Sequence, residues 1–162
     1  MSEPLTLLEA PVRLEYTVTA GRHLSRFLSE IANKRVIGAR CPVCRKVYVP
    51  PRGACPTCGV PTGEEVEVAG TGTVTTFCLV NIAFEAQPFA LPYAAAAILL
   101  DGADIPIFHL LQGLPAEEVR MGLRVRAHWV TDDRLAPTLQ SIEWFEPTGE
   151  PDAPYESYRA HL

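Results

Sequence analysis

The chain has 162 residues, of which 48% are hydrophobic and 20% charged, and its formal net charge is −5 at pH 7. This length allows one ordinary domain, or a small domain with an appendage, that buries its own core. No apolar run reaches the ~18 residues that a membrane helix needs, and the N-terminus lacks the features of a signal peptide. We therefore expect a cytoplasmic protein with no membrane segment. The acidic balance argues against a dedicated nucleic-acid binder.

The first element in chain order is an amphipathic helix within residues 21–35. Its apolar residues recur at i, i+3, i+4 and i+7, which places them on one face: Leu24, Phe27, Leu28 and Ile31. We expect the helix to end near Asn33 and to pack this face against the domain, although such a helix can also dock a partner. The strand "VIGAR" (36–40) then leads into a cysteine-rich segment.

Four of the five cysteines form two C-x2-C pairs separated by ten residues: Cys41 with Cys44, and Cys55 with Cys58. Two thiolates on a tight turn can bind one ion, and two facing turns complete a closed tetrahedral zinc site. In a cytoplasmic protein this spacing favours structural zinc over iron, two disulfides or a thioredoxin-like redox centre. Four protein ligands leave no open position, which predicts a metal without a catalytic role.

Basic residues are concentrated around these cysteines. From residue 31 to residue 63 there are six basic residues and no acid, which leaves a net charge of −11 for the rest of the chain. The six are Lys34, Arg35, Arg40, Arg45, Lys46 and Arg52. Two interpretations remain open: they balance the thiolates and an acidic body, or they bind the phosphates of nucleic acid or of a coenzyme A ester. The candidates for a coenzyme A ester are Arg40, Arg45, Lys46 and Arg52.

Short strands and turns follow the second cysteine pair. Residues 64–80 alternate and contain Gly70 and Gly72, which predicts one long, bent strand with a bulge. Four more strands are predicted at 93–100, 105–111, 123–130 and 138–146, with a short helix start at Pro115 between the third and fourth. This order of five strands is that of an OB barrel.

The sequence thus predicts a mainly β fold in four parts. They are an N-terminal segment with the helix (1–35), a zinc ribbon (36–63), a five-stranded OB-fold barrel (64–146) and a Pro- and acid-rich tail (147–162). The tail is interpreted either as loose or as a segment that lies on a partner.

No set of residues in the sequence indicates catalysis. Cys78 lies among Phe77, Leu79 and Val80 and is expected to be an inert core residue. His109 is expected to be a barrel residue, and the remaining histidines share no spacing with acids or serines that suggests a triad. The sequence therefore predicts a protein that is not an enzyme on its own.

The connection between the first two barrel strands, residues 81–93, is unusually apolar. It has one charge and carries Phe84, Phe89, Leu91 and Tyr93. One interpretation is that it folds back and plugs the barrel mouth. The other is that it forms an exposed patch that contacts a partner enzyme or an acyl chain.

The segment "RVIGARCPVCRKVYVPPRGACPTCG", preceded by "LEYTVTAG" and a short helix, resembles the zinc-ribbon/OB-fold proteins found beside thiolase-type enzymes. The resemblance runs from about Leu14 to Phe145. It implies a rubredoxin-like ribbon and a role as accessory subunit of a thiolase-fold acyltransferase, or of an aldolase that breaks down sterol side chains. It also implies a contribution to the acyl-CoA site.

The sequence leaves three functions to compare. The resemblance favours a non-catalytic subunit in a hetero-oligomer with a thiolase-fold enzyme. The alternative is a nucleic-acid-binding module, because zinc ribbons and OB barrels both serve that role, but the strands lack interleaved aromatic residues for base stacking. A stand-alone enzyme is the least supported.

Overall fold

The computed structural model describes residues 14–83 and 89–162. These residues form one α-helix and eight strands, together with short 3₁₀ helices. The elements are α1 (Gly21–Ile31), β1 (Val36–Arg40), β2 (Val47–Tyr48), β3 (Glu64–Val68), β4 (Thr71–Val80), β5 (Tyr93–Leu100), β6 (Ile107–Leu111), β7 (Arg124–Trp129) and β8 (Ile142–Pro147). Over the described ranges, no helix has the length and apolar character needed to cross a bilayer.

The strands form two sheets, which confirms the predicted ribbon and five-stranded barrel. An antiparallel sheet with the order β2-β1-β3 carries the cysteine turns. The other five strands close into a barrel with the order β4-β5-β6-β8-β7. A 3₁₀ helix at Ala116–Glu118 lies between the third and fourth barrel strands, where Pro115 predicted a short helix.

The helix buries the predicted apolar face. Phe27 and Ile31 are fully buried, and Leu24 and Leu28 pack against the same core. The helix ends at Ile31, and Lys34 then takes a φ of 57°, a left-handed conformation that turns the chain into β1. The helix is thus fixed by packing, because Ala20 supplies no side-chain cap at its start.

Residues 64–80 form two strands, whereas the sequence predicted one. β3 pairs with β1 over five residues, from Val36 opposite Val68 to Arg40 opposite Glu64, so it belongs to the cysteine-bearing sheet. Only β4 belongs to the barrel. Its irregularity lies at residues 74–76 and not at a glycine. Alternation indicates a strand but not its partner, which is why the sequence could not place the break.

The two sheets share one hydrophobic core. Phe27, Ile37 and Val47 from the helix and the cysteine-bearing sheet belong to the same cluster as Ile98 and Phe145 of the barrel. A second, small cluster surrounds the cysteines and contains Tyr48, Val60 and Ile105.

The β5–β6 hairpin joins the two sheets by backbone and side-chain hydrogen bonds. The Asp104 N–H donates to the Val47 carbonyl oxygen at 2.9 Å, and the Val47 N–H donates to Asp104 Oδ2 at 2.8 Å. Asp104 thereby occupies a position beside β2 that a further strand would otherwise fill.

The C-terminal segment packs on its own barrel. Tyr158 is 5% exposed, the Ala153 N–H donates to the Gly122 carbonyl oxygen, and Arg120 forms an ion pair with Asp152. These contacts exclude a loose tail, one of the two interpretations drawn from the sequence.

Candidate metal centre and partner surface

The four cysteines of the two C-x2-C pairs lie together at the end of the ribbon. Their sulfur atoms are all within 4.8 Å of one another, and Cys44 Sγ lies 3.6 Å from Cys55 Sγ. Tetrahedral zinc with Zn–S bonds of about 2.3 Å requires sulfur atoms about 3.8 Å apart. Cys41 and Cys55 are buried, and Cys44 and Cys58 are half-buried. The cluster therefore has the donor atoms, the size and the burial of a structural metal site.

The two cysteine turns have the same backbone geometry. In each, the residue after the second cysteine donates its N–H to the carbonyl oxygen of the first: Arg45 to Cys41 at 3.1 Å and Gly59 to Cys55 at 2.9 Å. The second cysteine's N–H points at the first cysteine's sulfur, at 3.5 Å and 3.4 Å respectively. Such N–H groups stabilise thiolates and prepare the sulfur atoms for a cation. Arg45 has a φ of 63° and Gly59 a φ of 67°.

Tyr48 is a further part of this centre that the sequence did not reveal. Tyr48 is 2% exposed, and its hydroxyl donates a hydrogen bond to Cys55 Sγ at 3.1 Å. This hydrogen bond lowers the pKa of Cys55 to about 6 and raises the pKa of Tyr48 to about 12. Burial and the neighbouring sulfur atoms raise the pKa of Cys58 to about 12. A tyrosine in the strand between two cysteine pairs was the available signal.

The predicted phosphate-binding residues are partly neutralised by Glu64 of β3. Arg45 Nη2 lies 3.6 Å from Glu64 Oε2. Arg40 Nε lies 3.0 Å from the same oxygen, but this contact does not have the geometry of a hydrogen bond. The Arg52 guanidinium lies over the Tyr48 ring, 5.6 Å from its centroid. Lys46 is exposed, with no ion pair to any described residue.

The other two basic residues of this segment also contact carboxylates. Lys34 Nζ lies 2.6 Å from Asp132 Oδ1, and Arg35 pairs with Glu30 and Glu67. Four of the six basic residues therefore face acids from other parts of the chain. This arrangement favours charge balance over a continuous anion site for those four.

The described part of the 81–93 connection lies outside the barrel. Phe84 lies outside the described residues. Phe89 and Tyr93 are half-buried, with ring centroids 5.8 Å apart, and Leu91 is half-buried nearby. Interior positions of β5 belong to Ala94, Ala96 and Ile98, so Tyr93 points to the outer face.

Phe89 and Tyr93 line a groove of about 720 Å³ on this outer face. Phe108 of β6, which is 67% exposed, and Leu139 contribute to the same groove. Its Arg134 and Glu143 form an ion pair at 3.3 Å. The groove is therefore an apolar surface with its charges paired, which suits a protein or an acyl chain.

Cys78 is not a core residue, contrary to the expectation from its apolar neighbours. It is exposed on β4, because Thr76–Leu79 extend beyond the last pairing with β7 and both faces of the strand contact solvent. An apolar sequence neighbourhood indicated burial here, but burial requires a covering element, and none of the described residues supplies it.

The histidines have structural contacts. His109 is half-buried edge-on to Phe145, its Nδ1 accepts the Leu110 N–H, and burial lowers the pKa of His109. His128 stacks on Trp144. No histidine among the described residues makes a hydrogen bond to a serine or cysteine, so these residues present no nucleophilic triad.

Two family models match this chain. One, described as "ChsH2, rubredoxin-like zinc ribbon domain", matches residues 30–62, and the other, "ChsH2, C-terminal OB-fold domain", matches residues 65–130. Together they cover more than half of the chain.

Three curated relatives share part of the sequence. A DUF35 domain-containing scaffold protein of Methanocaldococcus jannaschii is 36% identical over 96 residues, 57% of this chain and 65% of that protein. A DUF35 domain-containing scaffold protein of Pyrococcus furiosus is 29% identical over 103 residues, 63% of this chain and 74% of that protein. A probable enoyl-CoA hydratase alpha subunit of Thermomonospora curvata is 29% identical over 101 residues, 62% of this chain but 31% of that protein. The chain spans less than two thirds of two of these relatives.

Solved structures share the fold. A chain of the Ltp2-ChsH2(DUF35) aldolase superposes with a TM-score of 0.60 at 24% identity, covering 78% of this chain and 95% of that chain. A DUF35-family protein from Sulfolobus solfataricus superposes with a TM-score of 0.59 at 19% identity, covering 78% and 84%. The cysteine cluster, the barrel and both family models lead to one conclusion: this chain carries the two domains that the ChsH2 models describe, a rubredoxin-like zinc ribbon and an OB fold.

Proposed function

We propose that this chain is a non-catalytic subunit of a thiolase-fold enzyme that acts on acyl-CoA substrates. The reaction of the partner would be acyl transfer or retro-aldol cleavage, including cleavage of sterol side chains. The observation that carries the proposal is an exposed apolar groove on a chain whose described residues show no catalytic arrangement. An exposed apolar groove of this kind suits contact with a second chain that supplies the chemistry.

The relatives support a role beside acyl-CoA enzymes. Two of them are named scaffold proteins, and a third is named a subunit of an enoyl-CoA hydratase. The region shared with this chain makes up 31% of that subunit, so the rest of it is other sequence. A module fused to other sequence in one protein can serve as a separate subunit in another.

We propose that zinc occupies the cysteine cluster. Zn²⁺ prefers four thiolates in tetrahedral geometry, and the sulfur atoms already lie at nearly that spacing. When bound, the metal would hold the two turns together and leave no position for a substrate. Tyr48 would orient Cys55 and stabilise its thiolate.

A contribution to acyl-CoA binding is the finer part of the proposal. Of the four residues predicted for the phosphates, Arg40 and Arg45 face Glu64, which leaves Lys46 and Arg52 as the cations without a carboxylate partner among the described residues. We expect these two to carry most of any attraction for coenzyme A phosphates. Lys46→Glu should then raise the apparent KM of the complex for its CoA ester, with kcat unchanged.

The test is co-expression of this chain with the enzymes encoded beside it, among which we expect one with a thiolase fold. The two proteins should elute together in gel filtration, and the pair should turn over its CoA ester. This chain alone should show neither acyl transfer nor carbon–carbon cleavage. Activity of the isolated chain would overturn the subunit role. The same result with an unrelated neighbouring enzyme, and none with a thiolase fold, would keep the role and reject the partner class.

The nucleic-acid alternative is less well supported. Four of the six basic residues near the cysteines face carboxylates, so few cations remain for phosphates. A titration with single-stranded DNA or RNA at physiological salt should give micromolar affinity or weaker. A tight complex whose affinity falls steeply with salt would reverse this ranking.

A further inference from the structure

The outer half of β4 is an open sheet edge. β7 pairs with β4 only from Thr71 to Thr73, and two further backbone hydrogen bonds reach Val74. Beyond the irregularity at Thr75, residues Thr76–Val80 pair with β5 on one side. On the other side they have no strand partner within the described ranges, and their only hydrogen bond there is from Asn81 Nδ2 to the Leu79 carbonyl oxygen at 3.3 Å. This edge presents backbone groups that can pair with another strand.

This edge lacks the features that keep strand edges from pairing. β4 has no charged residue and no proline over its ten residues, and Phe77 and Leu79 are 36% and 39% exposed. β3, the edge strand of the cysteine-bearing sheet, carries Glu64, Glu65 and Glu67, all in ion pairs with arginines. Charges on an edge prevent pairing with other chains. The β3 edge is therefore protected by charge, whereas the outer half of β4 is not.

We propose that the Thr76–Val80 edge of β4 pairs with an extended, uncharged strand of the partner enzyme. The inference rests on the proposed function and deepens it by naming the contact. Hydrogen bonds between backbones would supply the register, and apolar or β-branched side chains of the incoming strand would cover Phe77 and Leu79. The barrel sheet would thereby continue into the partner.

The outer face of the barrel favours a strand of the partner enzyme, rather than a second copy of this chain, at the β4 edge. Cys78 lies opposite Ala95, and Ala95 lies opposite Leu110, so one surface runs from the β4 edge to the groove of Phe89 and Phe108. A partner that adds a strand can cover the groove as well. Five paired residues between two copies would bury far less than the ~1,200 Å² of a stable interface, and both copies are acidic.

Hydrogen–deuterium exchange can test the pairing directly. Amides of the peptide that spans Thr76–Val80 should exchange at least about tenfold more slowly in the co-purified complex than in the isolated chain, because edge amides gain hydrogen bonds. Alkylation of Cys78 by N-ethylmaleimide should slow in parallel. A complex that forms with unchanged exchange would overturn this inference and leave the proposed function intact. Failure to form a complex with the enzyme would overturn both.

Matched lysine variants distinguish strand pairing at the β4 edge from general apolar contact with the partner. Leu79→Lys should weaken binding of the partner enzyme at least about tenfold, since a buried charge would face the incoming strand. Val18→Lys, at a residue ahead of α1 that is 67% exposed, should change it less than about twofold. Equal losses in the two variants would overturn the inference. Exchange at Thr76–Val80 that slows with rising concentration of the isolated chain would assign the edge to a second copy and overturn it too.

Discussion

The cysteine turns and the barrel are stabilised in different ways. The cluster around the cysteines contains one large, fully buried side chain, Tyr48. The barrel buries Val74, Ile98, Val125 and Phe145 completely. Metal–ligand bonds would therefore stabilise one end of the molecule, whereas hydrophobic burial stabilises the other.

This difference predicts which part of the ribbon would depend on a bound metal for its structure. β1 and β3 carry the turns, but Val36, Ile37 and Val68 belong to the core shared with the barrel. Removal of the metal should therefore disorder the turns and leave this sheet in place. The boundary between the two kinds of stability lies inside the ribbon.

The largest effect should come from loss of a metal ligand. Cys55→Ser should reduce bound zinc from about one per chain to none, because three thiolates cannot close the tetrahedral site. Amides in residues 41–63 should then exchange faster, while those of β4–β8 keep their protection. Metal analysis and hydrogen exchange measure both. Cys78→Ser is the matched control and should retain the metal. Global unfolding of Cys55→Ser would show that the metal stabilises the barrel too.

The next largest effect should come from the barrel core. Phe145→Ala should lower the free energy of unfolding by about 3–5 kcal/mol, because it leaves a cavity where the ring is completely buried. Urea denaturation measures the change, and the folded fraction should still bind one zinc per chain. Phe108→Ala removes a ring that is 67% exposed and should cost less than about 0.5 kcal/mol. Loss of zinc from folded Phe145→Ala would make the two ends interdependent.

A smaller effect should follow from removing one hydroxyl beside the metal. Tyr48→Phe deletes the donor to Cys55 Sγ and should weaken zinc binding by about 10- to 100-fold. Competition with a chelator of known affinity measures the change. The barrel should remain as protected from hydrogen exchange as in the parent. Unchanged zinc affinity would mean that the hydroxyl serves packing alone.

The smallest effects should distinguish the two turns from each other. Arg45 and Gly59 share a left-handed backbone conformation that is costly for residues with a Cβ atom. Arg45→Gly should stabilise the zinc-bound chain by about 1 kcal/mol, and Gly59→Ala should destabilise it by about 1 kcal/mol. Thermal unfolding should show shifts of opposite sign. Shifts of the same sign would mean that the Arg45 side chain, 3.6 Å from Glu64, outweighs the backbone cost.

Local patterns in the sequence were sufficient for the metal site and the barrel. Cysteine spacing predicted the cluster because each pair lies on one turn, whose geometry depends on a few adjacent residues. Alternation predicted most strands, and the four apolar residues of α1 predicted its buried face.

Pairings between distant residues were not predictable. The ion pair of Lys34 with Asp132 joins residues 98 positions apart, so the basic segment looked unbalanced in the sequence. Whether β3 pairs with β1 or continues β4 depends on tertiary packing, which alternation does not encode. Cys78 was misplaced for a related reason, because an apolar strand is buried only where another element covers it.

The paired hydrogen bonds between Asp104 and Val47 have a mechanical consequence. They clamp the tip of the β5–β6 hairpin to β2, while Ile105, the next residue, packs into the cluster around the cysteines. We therefore expect the barrel and the cysteine turns to move as one rigid body, without a hinge at this contact. A protein bound at the groove of the barrel and another bound beside the cysteine turns would then be kept at a constant separation.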